Sequence, residues 1–388
     1  MKASRVYSGT VKRLASFALL IVLISVFCGQ TFAQEWRTIA DGVEHAQVRR
    51  EFSGKPVDIN LLRLDLRKVR INVKHALDRA LGTETTSSIA SRNDAIAAIN
   101  AGFFRLDTSE FAGDPAGVLM IDGQLLSEPE KDRVQLITSN GRDRTVVFFA
   151  KTSISLSARV GPEIIELTGI NRARAESDVV LYTPEFGPTT MTDKNGVEMV
   201  VSKGRVAFVS VGLGNSAIPP EGFVISGSGR FRSTVLDASR TGAPVTFIRK
   251  WDGLPRELTR DRNTLDITNG VPQLISSGKI DITWEQEKAT RSFVETRHPR
   301  TAVAKLRDGR LLMLTADGRT DRSAGLDLFD LADYLLELGA VDAMNLDGGG
   351  STTMWLDGRV VNSPSDKDGE RKVSDVLVVT LRKPGIRK

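Results

Sequence analysis

The residue with the most evident chemical use is Asp347, in Asn345-Leu346-Asp347-Gly348-Gly349-Gly350-Ser351-Thr352-Thr353-Met354-Trp355. The run from Val341 to Leu346 reads as a short strand that stops at three glycines. On a strand, residues two apart share a face, so Asn345 and Asp347 point the same way. Glycine permits positive φ and close approach of backbone to something bound. The amides of Gly348 to Ser351 can then converge as a nest for an anion beside the carboxylate. A Gly-rich hairpin is the plainer alternative. A hairpin needs only one or two glycines, however, and a third merely adds freedom to the unfolded chain.

Other elements must bring partners to this carboxylate. Thr85 to Ser88 offer N-caps for a short helix through Arg92, and Ala95 to Asn100 reads as a buried strand emerging into Ala101-Gly102-Phe103-Phe104. A second strand therefore ends in Asn with a glycine close behind. Thr301 to Leu306 and Arg310 to Thr315, joined by Asp308-Gly309, form a hairpin that delivers Asp317-Gly318-Arg319. Leu326, Phe329, Leu331, Tyr334, Leu335 and Leu338 have helical spacing, and Gly339 suits a helix C-terminus. Met120 to Pro129 echoes Trp355 to Pro364, each an Asp-Gly hairpin following a strand that ends in Asn. The echo suggests two related half-sites, with Asn100 and Asn345 facing one cleft.

Val57 to Val73 alternates as two strands, and 135–245 is strand after strand with polar breaks. Asn195-Gly196 reads as a turn, and 251–266 as charged and irregular. The expected fold class is α+β: β-rich mixed sheets with a few helices, the β-rich middle lying between the two ends.

The 388 residues are 40% hydrophobic and 26% charged, ordinary for a globular chain. The net charge is +5, but Lys2, Arg5, Lys12 and Arg13 precede the first acid, Glu35. Taking those four away leaves +1, which makes no case for nucleic acid. The same segment has a basic start, an apolar run from Leu14 to Phe27 and small residues around Ala33, the parts of a secretory signal. The expectation is a signal peptide at 1–33, a domain at 34–388, export to the periplasm or beyond, and no stable membrane span after processing. The single cysteine, Cys28, follows bulky Phe27, which disfavours lipidation, and leaves the mature chain without disulfides. With only His45, His75 and His298, a His-rich zinc site is not expected, and no cofactor or metal is assigned.

Ile99-Asn100-Ala101-Gly102-Phe103-Phe104, Arg300-Thr301-Ala302-Val303, Asp317-Gly318-Arg319 and Ala343 to Thr352, in this order, resemble the phosphodiester glycosidase family, typified by the uncovering enzyme that removes N-acetylglucosamine from mannose 6-phosphate diesters. Ala101 stands where that family commonly has glycine, and the cysteines of the animal enzyme are missing. The resemblance implies an exported hydrolase of sugar-1-phosphodiesters or related glycans, with a substrate site drawn from Asn100, Gly102, Phe103, Arg300, Thr301, Arg319, Asn345, Gly348, Gly349, Gly350, Ser351 and Thr352.

Breaking an anomeric C–O bond to phosphate needs a carboxylate facing the anomeric carbon and donors that hold the leaving charge. Asp347 is the candidate carboxylate and Asp317 the second. Arg300 and Arg319, with the glycine amides, would take the phosphate, Arg by its bidentate fork. Asn100 and Asn345 suit sugar hydroxyls, and Phe103 or Phe104 a sugar face. A glycosidase acting on unphosphorylated envelope polysaccharide would not need Arg300. A non-catalytic carbohydrate-binding envelope protein gains nothing from two carboxylates beside phosphate. Asp366-Lys367-Asp368-Gly369 resembles a calcium loop, but Pro364 occupies the first ligand position, and the segment reads as a solvated hairpin tip.

Overall fold

Apolar-polar alternation makes most of this chain strand, and strand ends, not helices, surround the glycine stretch. The computed structural model describes residues 35–258 and 264–383. The expected leader, with Cys28, lies outside the described residues. From Trp36 onward the chain clusters as one compact unit. No helix among the described residues is long and apolar enough to cross a membrane.

The largest sheet has eight strands in the order Arg37–Ala40, Val43–Phe52, Lys55–Leu64, Leu311–Ala316, Arg300–Leu306, Ala340–Asn345, Gln273–Ser276 and Lys279–Ile280. Neighbours are antiparallel throughout. A five-stranded sheet runs Arg359–Val360, Met354–Leu356, Ala97–Asn100, Asp375–Leu381, Val69–His75, and so unites the two ends of the described chain. A third sheet contains Gln135–Asn140, Thr145–Ala150, Leu265–Asn269 and the hairpin Leu119–Ile121/Gln124–Ser127. The β-rich middle adds a three-stranded sheet and a five-stranded one whose short Gly169–Ile170/Val179–Tyr182 pair is parallel.

The first core lies between the eight-stranded sheet and the sheet of chain ends, through Leu62, Leu64, Ile71, Val73, Ile99, Met313, Met344 and Leu377. The other face of the large sheet buries Leu61, Ala302, Leu314 and Ala343 under the helix Leu328–Glu337. Asp327 caps that helix, its side chain accepting from Asp330 N at 2.8 Å. Gly339, just past its end, has φ +90. The buried face is Leu328, Leu331, Ala332, Tyr334 and Leu335, whereas Phe329 is 47% exposed. The spacing is therefore helical as expected, but with Leu328 in register instead of Phe329.

The strand Val43–Phe52 carries Glu44, Arg49, Arg50 and Glu51, which hides its periodicity. Val245–Asp252 runs into the stretch read as irregular, because it pairs along its length with Ser153–Val160. The turn read at Asn195-Gly196 is an Asx turn closed by Asp193. Asn195 N donates to Asp193 Oδ1, and the strand Gly196–Ser202 begins at once. A Cβ on Gly196 would lie 2.0 Å from Arg174 Nη1, so this glycine clears room for a buried guanidinium.

Candidate functional site

Asn345 ends its strand in the large sheet, and Met354 begins one in the sheet of chain ends, so the residues between them bridge two sheets. Asn100 ends one strand of the second sheet and Asp375 starts its neighbour. Leu346 N donates to Thr301 O and Asp347 N to Ala101 O, each at 2.9 Å, and Ala101 N donates to Asp375 O at 3.1 Å. The Ala101 main chain is thus a rung between two aspartates far apart in sequence.

Asp347 is half-buried, and its Oδ1 accepts from Gly348 N at 2.9 Å. Burial pushes its carboxyl up to about 6, against the stabilising influence of Ser351, of the Gly348 amide and of Arg371. The Ser351 hydroxyl acts by proximity only, for its Oγ has no hydrogen-bond partner. Asp375 is fully buried; Oδ1 accepts from Gly102 N at 3.0 Å and Oδ2 from Thr268 Oγ1 at 2.6 Å. Burial pushes it up to about 6 as well; Thr268 and Gly102 favour the ion, whereas the charge of Asp347 adds to the rise. The two carboxyls feel one another, so their protons leave in separate steps that belong to the pair. A Cβ on Gly102 would lie 2.9 Å from Asp375 Oδ1. Glycine there permits the carboxylate's approach.

Asp317 is placed differently from the expected second carboxylate. It is buried, its Oδ1 accepts from Asn362 Nδ2 at 3.2 Å and Ser363 N at 3.0 Å, and burial raises its pKa. The charges that act on it are those of Asp58, which adds to the rise, and Arg322, which opposes it. Asp317 anchors the segment after the last hairpin, and the carboxylate that feels the charge of Asp347 is Asp375. No local pattern around Val373-Ser374-Asp375-Val376 marks that role; it exists only through tertiary contact with Gly102 and Thr268.

The expected nest also differs. Gly348 N is taken by Asp347, Gly349 N by Pro299 O at 2.8 Å, and Ser351 N by Gly348 O at 3.1 Å, because 349–351 wind into a 3₁₀ turn. The Asp347 carboxylate, the Pro299 carbonyl and the turn's own Gly348 carbonyl thus take these three donors. Hydroxyls remain instead. Ser351 Oγ, Thr352 Oγ1, Thr353 Oγ1 and Asn345 Oδ1 are buried without partners, a concentration of orphaned polar atoms that native interiors rarely tolerate away from a ligand or water.

Asn100 and Asn345 do not face a cleft. Asn100 Nδ2 donates to Asp347 O at 2.6 Å, and its Oδ1 accepts from Thr301 Oγ1 at 2.8 Å and Thr353 N at 3.1 Å. Asn345 Nδ2 donates to Val271 O at 2.7 Å and Leu346 O at 2.8 Å. Both side chains are fully buried and brace the bridge from within.

Two arginines flank the loop in contrasting states. Arg300 is 1% exposed; Nε donates to Leu326 O at 2.9 Å and Nη2 to Phe293 O and Thr296 O at 2.8 Å. Its guanidinium lies 5.1 Å from the Phe293 ring, and Phe293 in turn meets Phe103 edge-on at 6.0 Å. Burial, aided by the like charge of Arg319, lowers Arg300 to about 10, opposed by Asp327. Arg319 is exposed, with φ +65, a conformation that costs a non-glycine residue and concentrates at functional sites. Its contacts are Ser365 Oγ at 3.4 Å and His298 Nδ1 at 3.5 Å, neither of them a charge. Its Nη2 lies 2.8 Å from where a Cβ on Gly349 would stand. Gly349, at φ +60, is therefore doubly required. Arg371 forks onto Asp366 at 2.7 and 3.0 Å, and this pair packs against Gly350. Asp366 and Gly369 pair as a short turn, as the hairpin reading expected. Among the described residues no group of three or more His, Cys, Asp or Glu could hold a metal ion.

Residues 195–380 match the family model described as phosphodiester glycosidase. The chain is a relative of the phosphodiester glycosidases. It is 34% identical over 184 residues to the N-acetylglucosamine-1-phosphodiester alpha-N-acetylglucosaminidase of Mus musculus, covering 43% of this chain but 34% of that protein. It therefore spans about a third of that relative's length. An uncharacterized protein of Rickettsia conorii is 26% identical over 234 residues, covering 59% of this chain and 77% of the other. In structure the chain is similar to a hypothetical protein from Synechocystis, with a TM-score of 0.77 at 23% identity over 90% of this chain and 64% of that one, a likeness of fold. The phosphodiester glycosidase match contains His298, Arg300, Asp317, Arg319, Asp347, Arg371 and Asp375. Asn100, Gly102 and Phe103 lie outside it and reach the site through the sheet of chain ends. Of the residues missed in the sequence, His298 had the clearest signal, two positions before Arg300.

Proposed function

We propose that this site hydrolyses the anomeric bond of a sugar-1-phosphodiester. The observation that carries the reading is the pair Asp347 and Asp375, both pushed up to about 6, beside an exposed arginine whose contacts are uncharged. Asp347, which solvent reaches, faces the anomeric carbon. Asp375 acts through it, its charge raising the basicity of Asp347 while Gly102 and Thr268 keep it in place. Arg319 and the hydroxyls of Ser351 and Thr352 hold the phosphate as charge develops on the departing oxygen. Phe103, braced by Phe293, offers a sugar face. Arg300 sets the strand entry by gripping three carbonyls and lends its field rather than its fork.

An unphosphorylated glycoside would use the carboxylates but would leave Arg319 without a task. The leader supports export, to the periplasm or outside the cell, with a processed N-terminus near Ala33. The test is incubation of the purified protein with sugar-1-phosphodiesters and with matched unphosphorylated glycosides. Sugar released from the diesters alone is expected. Release from the glycosides at equal rates would replace the reading with an ordinary glycosidase, and release from neither would replace it with a binding protein.

A further inference from the structure

His298 is half-buried between two guanidinium groups and has no carboxylate of its own. From its own segment comes Arg300, and from the turn after Leu311–Ala316 comes Arg319, whose Nη2 faces His298 Nδ1 at 3.5 Å. The other charges nearby are engaged elsewhere. Arg297 pairs with Asp330, Asp327 caps its helix and opposes Arg300, Asp366 is forked by Arg371, and Asp317 holds Asn362 and Ser363. A donor at Nδ1 places the proton of the neutral ring on Nε2. The main chain is locked independently of the ring, for His298 N donates to Leu326 O at 3.1 Å and Leu326 N to His298 O at 3.0 Å. The imidazole is thus free to change charge without disturbing this main-chain pairing with Leu326.

We propose that His298 is the proton donor to the phosphate oxygen that leaves the sugar, and that the bound diester's own charge is what protonates it. The inference rests on the phosphodiester reading above. Burial and the charges of Arg300 and Arg319 hold the free imidazole below its ordinary value, so near neutral pH it waits uncharged. An incoming phosphodiester anion sets a negative charge against the two guanidinium groups and favours an imidazolium beside it, with the proton taken from water. In the reaction the Asp347 carboxylate oxygen adds to the anomeric carbon and the bond from that carbon to the phosphate oxygen breaks. The bond's electron pair stays on the phosphate oxygen, which takes the imidazolium proton. The products of this step are a glycosyl ester on Asp347, a phosphate monoester monoanion and a neutral imidazole, and the net charge is conserved. Water then attacks the glycosyl carbon, its proton passes to His298, and the Asp347 carboxylate is released. A phosphate monoester has a second pKa of about 6, which imidazole matches, as efficient proton transfer requires.

Three histidines make the imidazoles separable by NMR, and His75 and His45 serve as internal controls. Titration of the intact protein with inorganic phosphate should raise the His298 pKa and leave His75 unchanged. Phosphate that binds, shifting Gly349, without moving His298 would overturn the inference while sparing the phosphate site. Absence of any phosphate binding would remove the phosphodiester reading and the inference with it. In kinetics, His298→Gln should lower kcat on a sugar-1-phosphodiester by about 10²-fold and abolish the fall of kcat at alkaline pH. If the parent is active and His298→Gln keeps both its kcat and its alkaline limb, His298 is not the donor. Should the variant fold poorly, the phosphate titration of the parent decides alone.

Discussion

Asp266 and Asp375 invite comparison, because both are buried aspartates pushed up to about 6 and one strand serves both. Asp266 lies on Leu265–Asn269, and Thr268, two residues on and on the same face, holds Asp375. Asp266 Oδ2 accepts from Asn72 Nδ2 and Val73 N at 3.0 Å, and Oδ1 from Asp122 N at 2.7 Å. It ties its own strand to Val69–His75 and to the turn at Asp122, and the charge of the exposed Asp122 carboxylate adds to its rise. Asp375 accepts fewer bonds and feels the charge of half-buried Asp347, in a bridge that carries hydroxyls with no partner. A raised carboxyl pKa therefore reports burial in both places. A neighbouring carboxylate acts on both as well, so it is the unsatisfied polar atoms that distinguish a site from a clamp.

The largest expected effect that would break this contrast is at Asp347. Asp347→Asn keeps the side chain's shape but cannot add to carbon or take a proton, so diester hydrolysis should fall by at least ~10²-fold with an unchanged melting temperature. Early melting with a fully active folded fraction would make Asp347 a turn residue. Next come the arginines. Arg319→Lys should weaken kcat/KM for the diester about 10-fold, since an ammonium lacks the fork, with little loss of stability. Arg300→Lys should do the reverse, costing about 1–3 kcal/mol in denaturant unfolding because buried carbonyls lose their donors. If Arg300→Lys is stable yet fails on diesters, Arg300 belongs to the phosphate after all.

Asp375→Asn sharpens the comparison at smaller scale. Removing its charge should lower the pKa of Asp347, so the acid limb of the activity profile should move to lower pH, with a loss of about 10-fold at the optimum. An unmoved limb would mean the carboxylates act separately. The smallest effect belongs to stability. Asp266, Asp347 and Asp375 all have folded pKa values raised to about 6, above the ordinary value near 3.9. The folded chain therefore holds protons that the unfolded chain has released. Their contribution is fully present below about 4 and is lost as pH rises through about 6. Chemical denaturation at pH 4.5 and 7 should show this fall, and Asp266→Asn should reduce it without touching activity.

Strand positions and turns were largely readable, because Ala97–Asn100, Leu311–Ala316 and Ala340–Asn345 are short apolar runs closed by Asn, Asp or Gly. The two Asp-Gly hairpins were readable for the same reason, with Asp122 and Asp357 at φ +48 and +47 and Gly123 and Gly358 at +76 and +86. The direction of polar side chains was not. Asn100, Asn345 and Arg300 carry the right chemistry in the right motifs, yet the main chain needs them, and only the three-dimensional accounting of carbonyls and amides reveals it. Asp375 was invisible because its partners, Gly102 and Thr268, lie 273 and 107 residues away. The amides of the glycine stretch were misread because a 3₁₀ turn and an extended nest are equally open to glycine.

The most direct test is the rate of sugar release from a sugar-1-phosphodiester by Asp347→Asn and Asp266→Asn, each at matched folded fraction beside the parent. The account predicts loss of at least ~10²-fold for the first and the parental rate for the second. Equal rates in the two variants would contradict it.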